Sequence, residues 1–320
     1  MSAVVVCTWE DVRGAEETLT LARKAAVGWG AALRWLVLGP LADGAAAMAA
    51  RYGVAGIDRI DDAKLAGFPA DACVEALAQY CAAHPPRAIV FNQTFDARLV
   101  APRLAARLGA GVTMNAVDLE AAGDGALRVT ASAYGGDTRV VYELAGAGPH
   151  VVGATTNALV ADPRDGGASP AVRDVRVDLA EVEERIRVVE RARQSGPRLE
   201  DAQVIVAGGR GLGVPENFSL VEELAEALGG MAGASRPIVD DGWADASRQI
   251  GLTGKITRPA LYVAAGISGA SQHMAGCAAA KTLVAINRDP DAAIFRYARY
   301  GIVGDCLEIL PEITRAVKDK

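Results

Sequence analysis

The chain has 320 residues and a net charge of −6 at pH 7, with 51% hydrophobic residues but only 5% aromatic ones. This length exceeds one ordinary core and fits about two domains of ~100–200 residues, while the acidic balance argues against nucleic acid as a partner, because phosphates call for a basic face. No apolar run approaches the ~20 residues of a bilayer span, which argues against membrane insertion, and five scattered cysteines at 7, 73, 81, 277 and 306 form neither a CxxC metal pair nor an even disulfide set, as expected in a reducing cytoplasm.

The segment "AVVVCT" (3–8) is apolar but short, lacks a basic lead-in and is followed by Glu10 and Asp11, so it reads as a strand and not as a targeting segment. Apolar runs at 33–38 and 88–92 resemble it. Alanine-rich stretches with helical periodicity lie near 15–27, 44–51 and 70–83, and another helix near 96–108 stops at Gly109. This rhythm predicts βαβ units and a mostly parallel sheet flanked by helices. From 112 the pattern changes. "GVTMNAVDLE", "ALRVTASAYG", "TRVVYEL" and "HVVGATT" have β character with little helix between them, and are read as strands that extend or flank the sheet. "ADPRDGGASP" (161–170) is a surface loop, and "VRDVRVDL" reads as one more strand. The charged stretch 181–201 marks the boundary between domains, 1–195 and 196–320. Its arginines read first as a solvated linker, and alternatively as a partner-facing surface.

The second half restarts the βα rhythm. "AQVIVAGG" (202–209), "ALYVAAG" (260–266), "KTLVAIN" (281–287) and "GIVGD" (301–305) are predicted strands. "NFSLVEELAEALGG" (217–230), "DAAIFRYARY" and "PEITRAVKDK" are predicted helices. In an open parallel sheet, ligands collect beyond the carboxyl ends of the strands. Six segments bearing glycine or hydroxyl groups fall there or close by: 208–213, 233–237, 249–255, 266–273, 286–289 and 301–305. Singly they are weak. "GGRGLG" lacks the G-x-G-x-x-G spacing, and the "TGK" at 253–255 has Gln249 where a P-loop needs its first glycine. Tight turns would explain each one. Together they leave backbone N–H groups and hydroxyls free for an anionic, extended ligand. In "GISGASQHMAG" (266–276), Ser268 is expected to cap a helix whose first-turn amides face a phosphate, with His273 one turn further in. The small neighbours leave room for a large planar ligand beside the imidazole.

In order along the chain, "GGRGLGVPENFSLVEELAEALGG", "GASRPIVDDGW", "QIGLTGK", "LYVAAGISGASQHMAG", "KTLVAINRDPDAAIF" and "YGIVGDCLEILPEI" resemble the α subunits of the electron transfer flavoproteins, the EtfA/FixB-like group. The match covers about 202–313, and "RLVAPRLAARLGAG" and "ASAYGGDTRV" extend it more loosely into the first half. The resemblance implies a first domain that pairs with a β subunit and a second, doubly wound domain that binds FAD. It implies an electron carrier, not a catalyst with a base, taking electrons from flavin dehydrogenases, as in fatty acid β-oxidation, to a quinone oxidoreductase or other acceptor. Carried over by motif, Arg210 and Ser235 lie near the pyrophosphate and Arg236 over the flavin ring. Gln249, Ile250, Gly251, Leu252 and Thr253 run beside the ring and ribityl chain, with the Thr253 hydroxyl near N5. Ser268, Gly269, Ala270, Ser271, Gln272 and His273 wrap the ribityl and pyrophosphate, with His273 at the N1–C2 carbonyl edge. Asn287, Asp305 and the adjacent Cys306 hold the adenosine end.

A donor at His273 and a cation at Arg236 favour the negative charge a flavin gains on reduction more than the oxidised ring. At roughly 1.5–3 kcal/mol per charged hydrogen bond, and ~59 mV per ~1.4 kcal/mol, each contact is expected to raise the potential by roughly 60–130 mV. Leu252, Gly304, Cys306 and Cys277 depart from the residues usual in the group, which are Gln, Ala, a bulky apolar residue and Met. Two alternatives stay open. One is a non-redox module for a nucleotide or thiamine diphosphate, which lacks a reason to combine Arg236, Thr253 and His273. The other is an electron-bifurcating flavoprotein whose β subunit carries a second flavin.

Overall fold

The protein is described from a computed structural model, over residues 3–9, 12, 14–133, 138–146, 148–155, 159–164, 167–186, 188–190 and 197–319. Parts of the predicted segments 131–140, 161–170 and 181–201, with Glu10 and Asp11, lie outside the described residues. The chain divides into two compact units, Met1–Ala133 with Arg139–Ala192, and Tyr134–Thr138 with Arg193–Lys320.

The first unit opens with β1 (Ala3–Thr8), whose valines have no hydrophilic alternation because both faces are covered. Val4 and Val6 pack under α1 (Ala15–Gly28) and α2 (Ala45–Arg51), while Val5 and Cys7 pack under α3 (Ala70–Ala83) and α4 (Phe95–Leu108). Successive strand residues face opposite sides, so one run of five apolar residues feeds two cores. The remaining strands are β2 (Ala32–Leu38), β3 (Gly56–Ile60), β4 (Pro86–Asn92), β5 (Gly111–Ala121), β6 (Leu127–Ala133), β7 (Thr138–Leu144), β8 (His150–Ala154) and β9 (Val172–Asp174). They form a nine-stranded sheet in the order β7-β6-β5-β8-β4-β1-β2-β3-β9. Helix α4 starts at Thr94, whose Oγ1 accepts from Ala97 N at 3.1 Å, and ends at Gly109 with φ +60°.

The "HVVGATT" strand extends the sheet beyond β4: β8 lies inside it, parallel to both β4 and β5. One strand differs from the sequence expectation. Strand β3 was not anticipated, because "GIDRI" carries charges where a buried strand should not. Asp58 is fully buried there. Arg34 donates to it at 2.6 and 2.8 Å, Arg173 at 2.8 Å and the Tyr80 hydroxyl at 2.7 Å. Its carboxyl is held below the usual range by these donors, against the effect of burial.

The second unit contains β10 (Val204–Gly208), α5 (Phe218–Ala227), β11 (Met231–Ser235), α6 (Arg236–Asp240), β12 (Gln249–Ile250), β13 (Leu261–Ala265), α7 (Ser271–Met274), β14 (Thr282–Asn287), β15 (Tyr300–Val303) and α8 (Cys306–Lys318). All six strands are parallel, in the order β12-β11-β10-β13-β14-β15. In chain order this is 3-2-1-4-5-6, the arrangement of dinucleotide-binding sheets. The chain works outward from β10 to β12, then returns to the other side of β10 with β13. The sheet's switch point therefore lies between β10 and β13. "DAAIFRYARY" is not a helix beyond a short 3-10 turn at Ala293–Arg296, and α8 begins at Cys306, well before the expected "PEITRAVKDK".

Candidate functional site

The carboxyl ends of β10 to β14 open into a cleft of about 760 Å³, within the ~300–1,000 Å³ range of ligand pockets. Each strand end delivers part of its lining: Arg210 and Gly211 follow β10, while Ser235, Arg236 and Pro237 lie at the end of β11. Gln249, Ile250, Gly251, Leu252 and Thr253 come from β12 and the turn after it. Gly266, Ile267, Ser268, Ala270, Gln272 and His273 follow β13, and Asn287, Asp289 and Ala292 close the far side.

Backbone close approach at the switch point sets the floor of this cleft. Gly266 has φ +64°, and a Cβ there would lie 2.7 Å from Gly211 Cα, nearer than packed atoms tolerate. The β12 turn is tied to the β13 loop by Leu252 N, which donates to Gln272 O at 2.8 Å. Gln249 Nε2 donates to Thr253 Oγ1 at 2.9 Å, and Asn287 Nδ2 donates to Ile267 O at 2.9 Å. The two arginines are exposed and already face carboxylates. Arg210 makes a fork to Asp241 at 3.0 and 3.1 Å, and Arg236 reaches Asp240 at 3.1 Å.

His273 is the buried ionisable group of the cleft wall. Its Nε2 is hydrogen bonded to the Tyr262 hydroxyl at 2.9 Å. Its Nδ1 is buried without a hydrogen-bond partner. Burial lowers the ring's pKa to about 4, and the nearby Ile250 backbone opposes this only in part. The imidazole is therefore neutral at neutral pH. The Cys277 thiol donates to His273 O at 3.6 Å and is pushed up to about 12 by burial. Burial also holds the Tyr262 hydroxyl well above its usual range.

The cleft thus gathers most of the residues expected from sequence. Four of them stand apart from its lining. Gly269, with φ +85°, packs against Ile294. Ser271 starts α7 on the exposed side. Asp305 accepts from Leu307 N at 2.9 Å as the cap of α8 and pairs with Arg288. Cys306 is buried, with its thiol donating to Gly211 O at 3.5 Å. Ser268 does not cap a helix: α7 begins after Ala270, has only four residues and has no side-chain cap, so the expected phosphate-facing turn of amides is not built there. Tyr262 escaped the sequence reading because a tyrosine inside "ALYVAAG" looks like core. The one available signal was its hydroxyl, which inside an apolar run needs a partner.

The residues present suit a large cofactor with a polar ring edge. An unpartnered buried imidazole nitrogen, small-residue loops that side chains would fill, and two arginines at the rim all fit a dinucleotide with a second ring system.

Comparison with known proteins gives concordant matches. Residues 13–180 match the electron transfer flavoprotein domain, and residues 198–278 match the electron transfer flavoprotein FAD-binding domain. The electron transfer flavoprotein subunit alpha of Thermoanaerobacterium thermosaccharolyticum is 36% identical over 263 residues, covering 81% of this chain and 79% of that relative. The Bacillus subtilis subunit alpha is 37% identical over 83% of this chain and 82% of its own. Protein FixB of Clostridium saccharobutylicum is 34% identical over 307 residues, covering 95% of this chain and 91% of that relative.

Proposed function

This chain belongs to the electron transfer flavoprotein α-subunit family, with the family's FAD-binding domain in its second unit, and on that premise we propose that the cleft beyond β10 to β14 is where its FAD sits. FAD supplies the redox chemistry, accepting and releasing electrons. The chain's own residues bind and orient it. The observation that carries the assignment is the buried, unpartnered Nδ1 of His273 in a cleft at the switch point. His273 serves as a neutral donor to the flavin's carbonyl edge. Arg236 supplies a cation beside the ring, Thr253 a hydroxyl near its N5, and Gln249, Ile250, Gly251 and Leu252 a backbone wall. Arg210 and Ser235 serve the pyrophosphate, with Ser268, Ala270 and Gln272. Asn287 serves the adenosine end. Asp305 and Cys306, outside the lining, act there by holding the start of α8. The family match removes the reason to read this unit as a non-redox nucleotide or thiamine diphosphate module.

As a member of this family the chain pairs with a β subunit, which we place in a heterodimer that completes the site. We further assign it to the cytoplasm, carrying electrons from flavin dehydrogenases, those of fatty acid β-oxidation among them, to a quinone oxidoreductase or other acceptor. Five buried free cysteines support a reducing compartment, and no helix among the described residues is long and apolar enough to cross a membrane. The test is coexpression with the β subunit, copurification, and release of the cofactor by denaturation. A yellow complex yielding FAD is expected. A colourless complex, or one yielding only an adenine nucleotide, would remove the assignment.

A further inference from the structure

We propose that Tyr262 is a positioning residue, whose hydroxyl donates to His273 Nε2 and thereby keeps the ring's single proton on Nδ1, aimed at the ligand of the cleft. The inference rests on the reading of that cleft as the FAD site, but its first test does not need the cofactor.

Tyr262 is the second residue of β13, paired on one side with Ile205 of β10 and on the other with Leu283 of β14. Its backbone is thus fixed by two parallel neighbours and its side chain is fully buried. A buried tyrosine hydroxyl has one proton to give. Two acceptors are near, His273 Nε2 at 2.9 Å and the sulfur of Cys277. Thiol sulfur accepts weakly, whereas an imidazole lone pair accepts well, and the Cys277 proton is directed to His273 O. The consistent assignment sends each proton to a separate acceptor: Cys277 to the His273 carbonyl, Tyr262 to Nε2. A neutral imidazole that accepts at Nε2 carries its hydrogen on Nδ1.

That Nδ1 is the nitrogen with no partner. A histidine serving the core alone would satisfy both nitrogens within the core. Here one is satisfied and fixes the other as a donor. The Ile250 backbone lies close enough to favour the protonated ring, but Nδ1 makes no well-formed hydrogen bond with it. A carbonyl or ring-nitrogen edge of a planar ligand in the cleft would supply an acceptor of better geometry. Tyr262 and Cys277 both stay protonated at neutral pH, so no proton moves along the trio. Its effect is orientation: without Tyr262 the ring is free to carry its proton on Nε2, leaving Nδ1 as a bare acceptor facing the ligand's acceptor.

The test uses the full chain labelled with nitrogen-15 histidine, whose three histidines, His84, His150 and His273, give a simple long-range proton–nitrogen spectrum. His273→Asn assigns the signal. The Nδ1–H form is expected for His273, giving way to the Nε2–H form in Tyr262→Phe. An Nε2–H form in the unaltered protein, or a tautomer unmoved by Tyr262→Phe, overturns the proposal. FAD titration of the complex with the β subunit supplies the second readout. Tyr262→Phe is expected to weaken binding about tenfold, the loss of roughly one hydrogen bond. His273→Asn, whose amide replaces the Nδ1–H, is expected to hold FAD more tightly than His273→Gln, whose amide replaces Nε2. Adding Tyr262→Phe to His273→Asn is expected to change little. An equal loss in both backgrounds would assign Tyr262 to packing alone and refute its positioning role. If no form binds FAD, the cofactor assignment fails, and the spectra still decide the Tyr262–His273 arrangement.

Discussion

Gly266 and Gly213 both hold positive φ, at +64° and +81°, but only Gly266 has a wall behind it: Gly211 Cα would lie 2.7 Å from its Cβ, whereas nothing lies within 4 Å at Gly213. A left-handed non-glycine residue costs ~1–3 kcal/mol by itself. Gly213→Ala is expected to lower stability by about that much and leave FAD binding intact. Gly266→Ala is expected to cost more and to weaken FAD at least tenfold by lifting the cleft floor, as measured by urea unfolding and flavin titration; equal behaviour of the two variants would count against the close-approach account. At His273 the argument concerns protons. Its folded pKa is about 4 against an ordinary 6.5, so the unfolded chain takes up a proton that the folded chain refuses. The stabilising contribution is fully present above pH 6.5 and is lost as pH falls from there towards 4, by up to ~3 kcal/mol. The drop in urea midpoint between pH 7 and pH 4.5 is expected to shrink in His273→Gln, and an undiminished drop would show that other groups carry it. Arg236 is different because it is exposed and faces Asp240. Solvent screening limits its effect. Arg236→Ala is expected to lower the bound flavin's midpoint by no more than ~60 mV, or about 1.4 kcal/mol, while Asp240→Asn is expected to raise it by releasing the guanidinium. Unaltered midpoints in a redox titration would place Arg236 away from the ring.

Among the elements, β3 shows how a buried charge can order a sheet edge. Asp58 receives Arg34 from β2, Tyr80 from α3 and Arg173 from β9, so one carboxylate joins three elements to β3. Removing one partner of a buried ion pair leaves the others unpaired at a cost of ~3–5 kcal/mol. Asp58→Ala is expected to destabilise the first unit by about that amount in urea unfolding, and a change within 1 kcal/mol would mean that the arginines find water instead. The same strand shows where sequence reading stops. Helices α1, α3 and α4 were legible because alanine and leucine recur at helical spacing, and glycine closes the end of α1 and α4. Strand β3 was hidden because its burial is made possible by residues 24 and 115 positions away, which no local pattern contains. Strand β8 was legible as a strand but not as an interior one, since its place is set by pairing with β4 and β5, which no local pattern records. The short turn at Ala293–Arg296 looked helical because Ala292, Ile294 and Phe295 are apolar, yet they serve the tight passage beneath Gly269, which brings Ile294 N to Ser268 O at 3.0 Å.

For the molecule as a whole, the cleft was readable because parallel βα architecture sends every strand end to one edge, so small and hydroxyl-bearing residues after several strands must converge. What was not readable was how each candidate is used. Arg210 and Arg236 are paired with aspartates, Asp305 is committed to a helix cap, and Tyr262 stands behind His273 in what looked like plain core. Among the described residues, the second unit's six-stranded sheet is built from β10 to β15 alone. The buried residues of its two hydrophobic clusters run from Leu199 to Leu310, and every residue that lines the cleft comes from the same stretch. A fragment of residues 197–320 is domain-sized and takes both clusters with it. It is expected to unfold in one cooperative transition in urea, coincident by far-UV circular dichroism and tryptophan fluorescence, with Trp243, which packs against the cluster under α5 and α8, as the single reporter. It is also expected to bind FAD, more weakly than the full complex because the β subunit is absent. A gradual, non-coincident transition would mean that the two clusters do not suffice to fix this sheet, and a cooperative fragment with no affinity for FAD would mean that the cleft becomes a site only when its partner closes it.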